Sequence, residues 1–359
     1  MEFRKLFRII FVAMVVAGLV LASGALAAPP AAGGDDNEVI SETVDLAQTS
    51  TPTKRQMRKA KPMDMPEASG GPVFAEEAAQ PSIPLEVIAG GAPGVRSAGS
   101  VDLLGEGEVE PTFLPKNKAY NYPPPYTRYK MPNAWYKTYP HSTVGKLYFQ
   151  KPTGTSWYVC SGAVAVGRAV WTAGHCVYTP GSGWNRNHVF YPAYKNGADA
   201  VYGGWTAFTK STLYGWTQNK LPYDIGMLAV SDKQRMKISQ VTGYLCAAWG
   251  GSSLRQWHDF GYPQASPFNG KYQYVCAASR AWQDARQGKP WTNGIGCDMT
   301  GGCSGGPWLW RYAPNSTGAV NCVNSVNSYR YTSPNQKYAI HGPYFGTGAK
   351  NLYNWGKTK

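Results

Sequence analysis

Glutamate stops at Glu110. Residues 111–359 hold 26 Lys/Arg and only 6 Asp, a net of +20, while residues 28–110 hold 14 acids against 6 Lys/Arg, a net of −8. After residue 28 no stretch is long and apolar enough to cross a bilayer as a helix, which excludes a polytopic helical membrane protein. No C-x-x-C pair occurs among the 7 Cys, so the paired ligand units of zinc sites are missing. No internal repeat is evident, and no nucleic-acid-binding motif accompanies the basic charge. Histidine is scarce: His141, His175, His188, His258 and His341 are all there are.

The ends and the charge split give the organisation. Arg4, Lys5 and Arg8 precede an apolar stretch from Ile9 to Leu21, and small residues lead to Ala25-Leu26-Ala27. This reads as a secretory signal over 1–27, the alternative being an uncleaved anchor. Residues 28–117 are rich in Ala, Pro, Gly and Ser with no sustained apolar period, and read as an acidic segment of low order. An acidic segment ahead of a basic domain can dock on it and leave when cut, so it is expected to be a pro-segment and the domain's own partner. Lys54-Arg55, Arg58-Lys59 and Arg96 are candidate processing points. The basic domain is expected to be a monomer, drawn to anionic polymers or surfaces and to no specific nucleic acid.

Residues 118–359 carry all 13 Trp and all 7 Cys. Short β-rich runs recur there, among them 144–149, 157–164, 169–172, 272–276, 308–312, 320–326 and 338–341, with Gly, Asn, Pro and Ser between them. That spacing points to an all-β barrel or sandwich. A short helix fits the C-terminus over 347–356.

Three segments carry chemistry. Thr172-Ala173-Gly174-His175-Cys176 sets a His in a turn of small residues. Tyr223-Asp224-Ile225-Gly226-Met227-Leu228 places one acid ahead of an apolar run, with Asp199 the runner-up. Gly301-Gly302-Cys303-Ser304-Gly305-Gly306-Pro307 holds a Ser in a glycine-rich turn whose backbone can approach a ligand. Imidazole titrates near neutral pH and can take a proton from a hydroxyl, which is a weak nucleophile without such a neighbour.

His, Asp and Ser in that chain order resemble the trypsin-like serine peptidases of the chymotrypsin fold, nearer to the bacterial and fungal members. The resemblance covers roughly residues 140–356. It implies two six-stranded antiparallel β-barrels, at about 140–240 and 241–345, and a secreted endopeptidase acting on polypeptides without cofactor or metal. It implies His175 as general base, Asp224 as its orienting acid, Ser304 as nucleophile, and the Gly302 and Ser304 N–H groups as an oxyanion hole. Cys303 is a rival nucleophile, but the glycine register favours Ser304. In the animal enzymes an Asp stands where Cys303 stands here, so their activation switch is missing.

The resemblance also pairs Cys160 with Cys176, a bridge that competes with a metal site built from Cys160, His175 and Cys176. Cys276–Cys297 and Cys303–Cys322 complete the expected set and leave Cys246 over. Asp298, six before Ser304, falls at the base of the primary pocket with Thr300 nearby. Because glutamate-specific relatives also carry an acid there, with a His on the pocket wall (His341 here), Asp298 does not decide the substrate side chain. Val323–Ser328, notably Ser325 and Asn327, are expected to pair with extended substrate. The rivals are a catalytically silent binding protein on the same scaffold and an esterase with the same triad.

Overall fold

The structure, a computed structural model, describes residues 34–75, 83–94, 124–197 and 201–359. The signal at 1–27, Arg96 and Asp199 lie outside them.

Six strands form the first unit: β1 (Val144–Gln150), β2 (Trp157–Val164), β3 (Ala169–Thr172), β4 (Arg186–Pro192), β5 (Trp205–Leu213) and β6 (Gly226–Val230). They close on themselves in the order β4-β1-β2-β3-β6-β5-β4, every pair antiparallel. Closure gives each strand a partner on both sides over part of its length and a core filled from every strand, while stretches of β2 and β5 that run past their neighbours keep an open edge. All seven residues of β1 are buried, and so are all four of β3.

The second unit is built from β7 (Gln256–Gly261), β8 (Tyr274–Asp284), β9 (Thr292–Gly296), β10 (Pro307–Trp310), β11 (Cys322–Val326) and β12 (Ala339–Gly342). They run in the order β12-β9-β8-β7-β10-β11. No ladder joins β11 to β12. The ring is completed just past β11, where Tyr329 bridges His341 and the Ser328 N–H donates to the His341 carbonyl at 3.0 Å. A one-turn helix α1 (Gly174–Val177) comes directly after β3, and the C-terminal helix α2 (Thr347–Lys357) matches its expected place. Tyr353 of α2 packs on Trp171 of β3 and on Trp249, with ring centroids 6.3 and 5.4 Å apart.

The acidic stretch holds more structure than its composition suggested. Val39–Thr43 adds to β5, from Val39↔Leu213 to Thr43↔Thr209. Lys61–Pro62 pairs with β2, Glu67–Ala68 pairs with Arg330–Tyr331, and Glu86–Ile88 pairs with Cys246–Trp249. None of these pieces could hold itself together. Each takes its hydrogen bonds from an edge the barrels provide, which is why no internal pattern announces it. Ion pairs of the expected sign accompany the docking: Glu42–Lys210 at 2.6 Å, Asp36–Lys220 at 2.8 Å and Glu86–Lys350 at 2.6 Å. Both basic pairs 54–55 and 58–59 lie in a helix, Lys54–Lys59, closed by a Thr53/Gln56 capping box.

The cysteines pair as Cys160–Cys176, Cys276–Cys297 and Cys246–Cys322, with Cys303 free and buried. The expected Cys303–Cys322 bridge and the spare Cys246 are therefore corrected. Cys246 and Cys322 are register partners in a parallel ladder, Cα atoms 4.1 Å apart. Cys303 instead turns its side chain toward Gly261, where an added Cβ would come within 2.7 Å of its own.

Candidate active site

The register of β3 against β6 brings the first two residues together. Gly226 pairs with Thr172, so the residues just before β6 lie beside those just after β3. Asp224 and His175 occupy those places. The first amides of a helical turn have no partner within it. Here Asp224 Oδ1 accepts the His175 N–H at 2.7 Å, while Oδ2 lies 2.8 Å from His175 Nδ1. Both side chains are buried. A carboxylate accepting at Nδ1 holds the proton there and leaves Nε2 as the basic nitrogen.

A third donor was not foreseen: Ser328 Oγ donates to Asp224 Oδ2 at 2.6 Å. The only hint in the sequence is that Ser328 ends a run, 324–328, with several polar residues where a barrel strand should be apolar. Among the described residues the carboxylate thus has three donors and no Lys or Arg ion pair.

Ser304 is delivered by the turn before β10, and Ser161 of β2 fastens that turn to the first barrel. The Ser161 N–H donates to the Ser304 carbonyl at 2.7 Å, and Ser161 Oγ donates to the Gly302 carbonyl at 3.0 Å. The Ser161 carbonyl accepts from Thr172 Oγ1 at 2.8 Å, on the strand that leads into the His turn. A Cβ on Gly305 would collide with Thr172 Oγ1 and come within 2.6 Å of the Ala173 nitrogen. The serine turn therefore packs directly on the residues just before His175. His175 Nε2 and Ser304 Oγ are both buried and neither has a hydrogen-bond partner, so no bond joins them in this structure. Hydrogen bonds of this kind are often long in unliganded enzymes and tighten around substrate.

Gly302 has φ +99°, a left-handed conformation that favours glycine. Its N–H donates to the Met63 carbonyl at 3.0 Å. The neighbouring Cys303 thiol is enclosed, and burial first and the Asp259 charge second push its pKa well up. A thiol held protonated is a poor nucleophile, which agrees with the glycine register.

The other named residues divide. Asp298 faces Arg128, Oδ2 to Nη1 at 3.4 Å, on a strand (Thr127–Lys130) paired with β8. Thr300 Oγ1 donates to the Ala265 carbonyl at 2.6 Å. Ser325 and Asn327 are fully buried and satisfied inside the second barrel, by the Pro343 carbonyl at 2.8 Å and Asp259 Oδ1 at 2.7 Å. Along the run 323–328, Val323 is paired on both sides, with Leu309 and Ala247, the Asn327 N–H and carbonyl are engaged by Gly306 and Gly305, and the Ser328 N–H donates to the His341 carbonyl. The edge that accepts an added strand lies further on, at Arg330–Thr332. His341 is buried, accepts from Trp282 Nε1 at 3.0 Å and stacks on Tyr329.

Among the described residues two groups of side chains have metal-ligand proximity, Cys160/His175/Cys176 and Asp259/Cys276/Cys297. In both, the two sulfurs are joined to each other as a disulfide, and in the first His175 Nδ1 is engaged by Asp224.

No protein-family model matches the chain. Among curated proteins it is 30% identical over 95 residues to an extracellular metalloprotease of Bacillus subtilis, a match spanning 26% of this chain and 30% of that one. Among solved structures, the thermostable serine protease AL20 from an extremophilic microorganism superposes with a TM-score of 0.54, 32% identity, 61% of this chain and 98% of that one. The protease Anisep from Arthrobacter nicotinovorans superposes with a TM-score of 0.56, 33% identity, 65% of this chain and 100% of that one. Identity near one in three, sustained along the full length of a solved protease, makes this chain a member of the trypsin-like serine peptidases of the chymotrypsin fold.

Proposed function

We propose that the protein is a secreted serine endopeptidase that hydrolyses peptide bonds through an acyl-enzyme. The observation that carries this reading is the network His175–Asp224–Ser328, fixed against a serine turn that Ser161 ties to the same barrel. Ser304 Oγ attacks the carbonyl carbon and its proton passes to His175 Nε2. Asp224 holds the Nδ1 proton in place and stabilises the imidazolium. The Gly302 and Ser304 N–H groups hold the oxygen that becomes negative. Such preorganised donors are worth about 3 kcal/mol of barrier each. His175 then returns the proton to the departing amine, and water, deprotonated by the same imidazole, releases the acid. Side chains and backbone supply this chemistry without a cofactor. The acidic leader is the domain's own pro-segment, the charge pairs of the docked strands being its complement. The working enzyme is a monomer, and its basic surface favours anionic surroundings.

At Asp298 a basic substrate side chain would compete with Arg128, so selectivity for Lys or Arg is weak. A fluorophosphonate probe tests the reading. It should modify Ser304, found by mass spectrometry of the labelled peptide, and leave Ser304→Ala and His175→Ala unlabelled. A probe that labels no residue in the protein freed of its leader would refute it in favour of a silent binding protein. Comparing short ester and peptide substrates separates an esterase.

A further inference from the structure

The Gly302 amide is one of the two donors the proposed mechanism needs, and another part of the chain has taken it. The occupant is continuous. The Ala60 carbonyl accepts from Gln264 Nε2 at 2.5 Å. Lys61 and Pro62 pair in parallel with Tyr158 and Val159, and the Met63 N–H donates to the Val159 carbonyl at 3.0 Å. The Met63 carbonyl then meets Gly302. Met65 is buried among Trp257, Cys276, Met299, Trp308 and Ile340. The Pro66 carbonyl accepts from the Arg330 N–H and the Ala68 carbonyl from the Thr332 N–H, both at 3.1 Å, with Glu67 and Ala68 parallel to Arg330 and Tyr331.

We propose that residues 60–68 are an internal inhibitor that docks in the cleft between the barrels with its chain direction reversed relative to substrate. The inference rests on the peptidase reading of that cleft. Three features support it. The strap spans both barrels, so it bridges the cleft from side to side. The Met63 carbonyl takes one of the two proposed oxyanion donors, the Gly302 N–H, and Met65 is buried in the apolar cluster that holds Cys297 and Met299 on either side of Asp298, so a backbone donor and the side-chain site are engaged together. Its polarity also resists cleavage. The half before the Met63–Asp64 bond lies along Tyr158-Val159, beside the Cys160–Cys176 bridge that anchors the His turn, and the half after it leads away to Arg330–Thr332. A departing Asp64 amine would therefore move off on the side away from the imidazole that has to protonate it. A peptide added to the Arg330–Thr332 edge in the antiparallel sense would run the other way and bring its leaving half to the His side. The strap is also held independently of its covalent link to the domain, through Val39–Thr43 on β5 and the Val73 N–H on Asp284 Oδ1 at 3.0 Å. A cut outside residues 34–75 would leave it bound as a separable inhibitor.

The test uses the full chain in a Ser304→Ala background for amide exchange and the Ser304 chain for probe labelling. Met65→Asp places a charge in the apolar recess and should loosen the strap, speeding exchange of the Gly302, Arg330 and Thr332 amides about tenfold or more. In the Ser304 chain the same variant should speed fluorophosphonate labelling by a similar factor. A synthetic peptide of residues 58–70 should slow labelling of the protein freed of its leader, and the same peptide with Met65→Asp should do so more weakly. Thermal melts verify that Met65→Asp still folds, and Met63→Pro, which deletes the amide given to Val159, is the second variant. Unchanged exchange at those three amides in both folded variants overturns the strap. Faster exchange with no labelling in any form upholds the strap and overturns the peptidase reading, so the two failures are distinguishable.

Discussion

Replacing Ser328 with alanine removes one of the three donors around Asp224. The carboxylate is fully buried and has no Lys or Arg ion pair among the described residues, so it depends on His175 N–H, His175 Nδ1 and Ser328 Oγ, at 2.7, 2.8 and 2.6 Å. A hydrogen bond to a charged group contributes about 1.5–3 kcal/mol, and here water has little access to replace it. For a domain of this size that predicts a fall in Tm of roughly 3–12 °C. Asp224 has most to do when the imidazole becomes positive, so part of the loss should reach the transition state. A fall in kcat/KM of about tenfold or more is expected, since each 1.4 kcal/mol is tenfold in rate. KM should change little, because Ser328 Oγ points at Asp224 and not into the cleft. Asp224→Asn sets the upper limit, with a loss in kcat of about 10⁴ from the wrong tautomer. The measurements are differential scanning calorimetry and peptide hydrolysis on the protein freed of its leader. A Ser328→Ala enzyme whose Tm and kcat/KM both match the parent would refute the three-donor account.

Acid should destabilise the fold through three histidines. His141, His188 and His341 are held neutral by burial, their pKa values lowered to about 4, 3 and 4. The unfolded chain binds protons below about pH 6.5 while the folded one does not, so stability falls from that pH toward pH 4, by roughly 1 kcal/mol per unit for each histidine. Urea unfolding midpoints between pH 7 and 4 will show it, and a flat profile contradicts the burial. Replacing Cys160 and Cys176 together by Ser opens a loop with a sequence separation of 16, at a cost of about 3 kcal/mol; activity should fall more steeply than stability, because the bridge steadies the His turn. Arg128→Ala removes the ion-pair partner of Asp298, leaving only the longer-range charge of Arg330. Peptide-library profiling should then show cleavage after Lys or Arg rising about threefold to tenfold relative to other residues, a modest change because the pair is partly exposed.

The parts legible in the sequence were those where chemistry dictates residue type and neighbours together. A His in a turn of small residues, an acid before an apolar strand and a Ser among glycines each need particular company, and that company is contiguous in the chain. Only the first three strands of the first barrel were legible as runs, being almost wholly buried and punctuated by turn residues, and the two-barrel arrangement came from the resemblance. Pairings between distant segments left no such trace. Cys246 meets Cys322 because two strands 76 residues apart run parallel, and nothing near either residue records that. The leader's strands escaped because segments of two to five residues are too short to show a period. Ser328 was missed for its neighbour Asn327, one position away, yet along a strand successive side chains point to opposite faces.

The division of labour between the two halves of the molecule has a consequence for its biogenesis. His175 and Asp224 belong to one half and Ser304 to the other, and contacts across the two halves, among them those of Ser161, the Ser328–Asp224 bond and the packing of Gly305 on Thr172-Ala173, bring them into reach. A chain caught with only one half assembled owns a basic group without a hydroxyl to activate, or the reverse. On the proposed mechanism, competence to cut is thus a property of the finished tertiary arrangement, and a nascent or misassembled copy would not cleave.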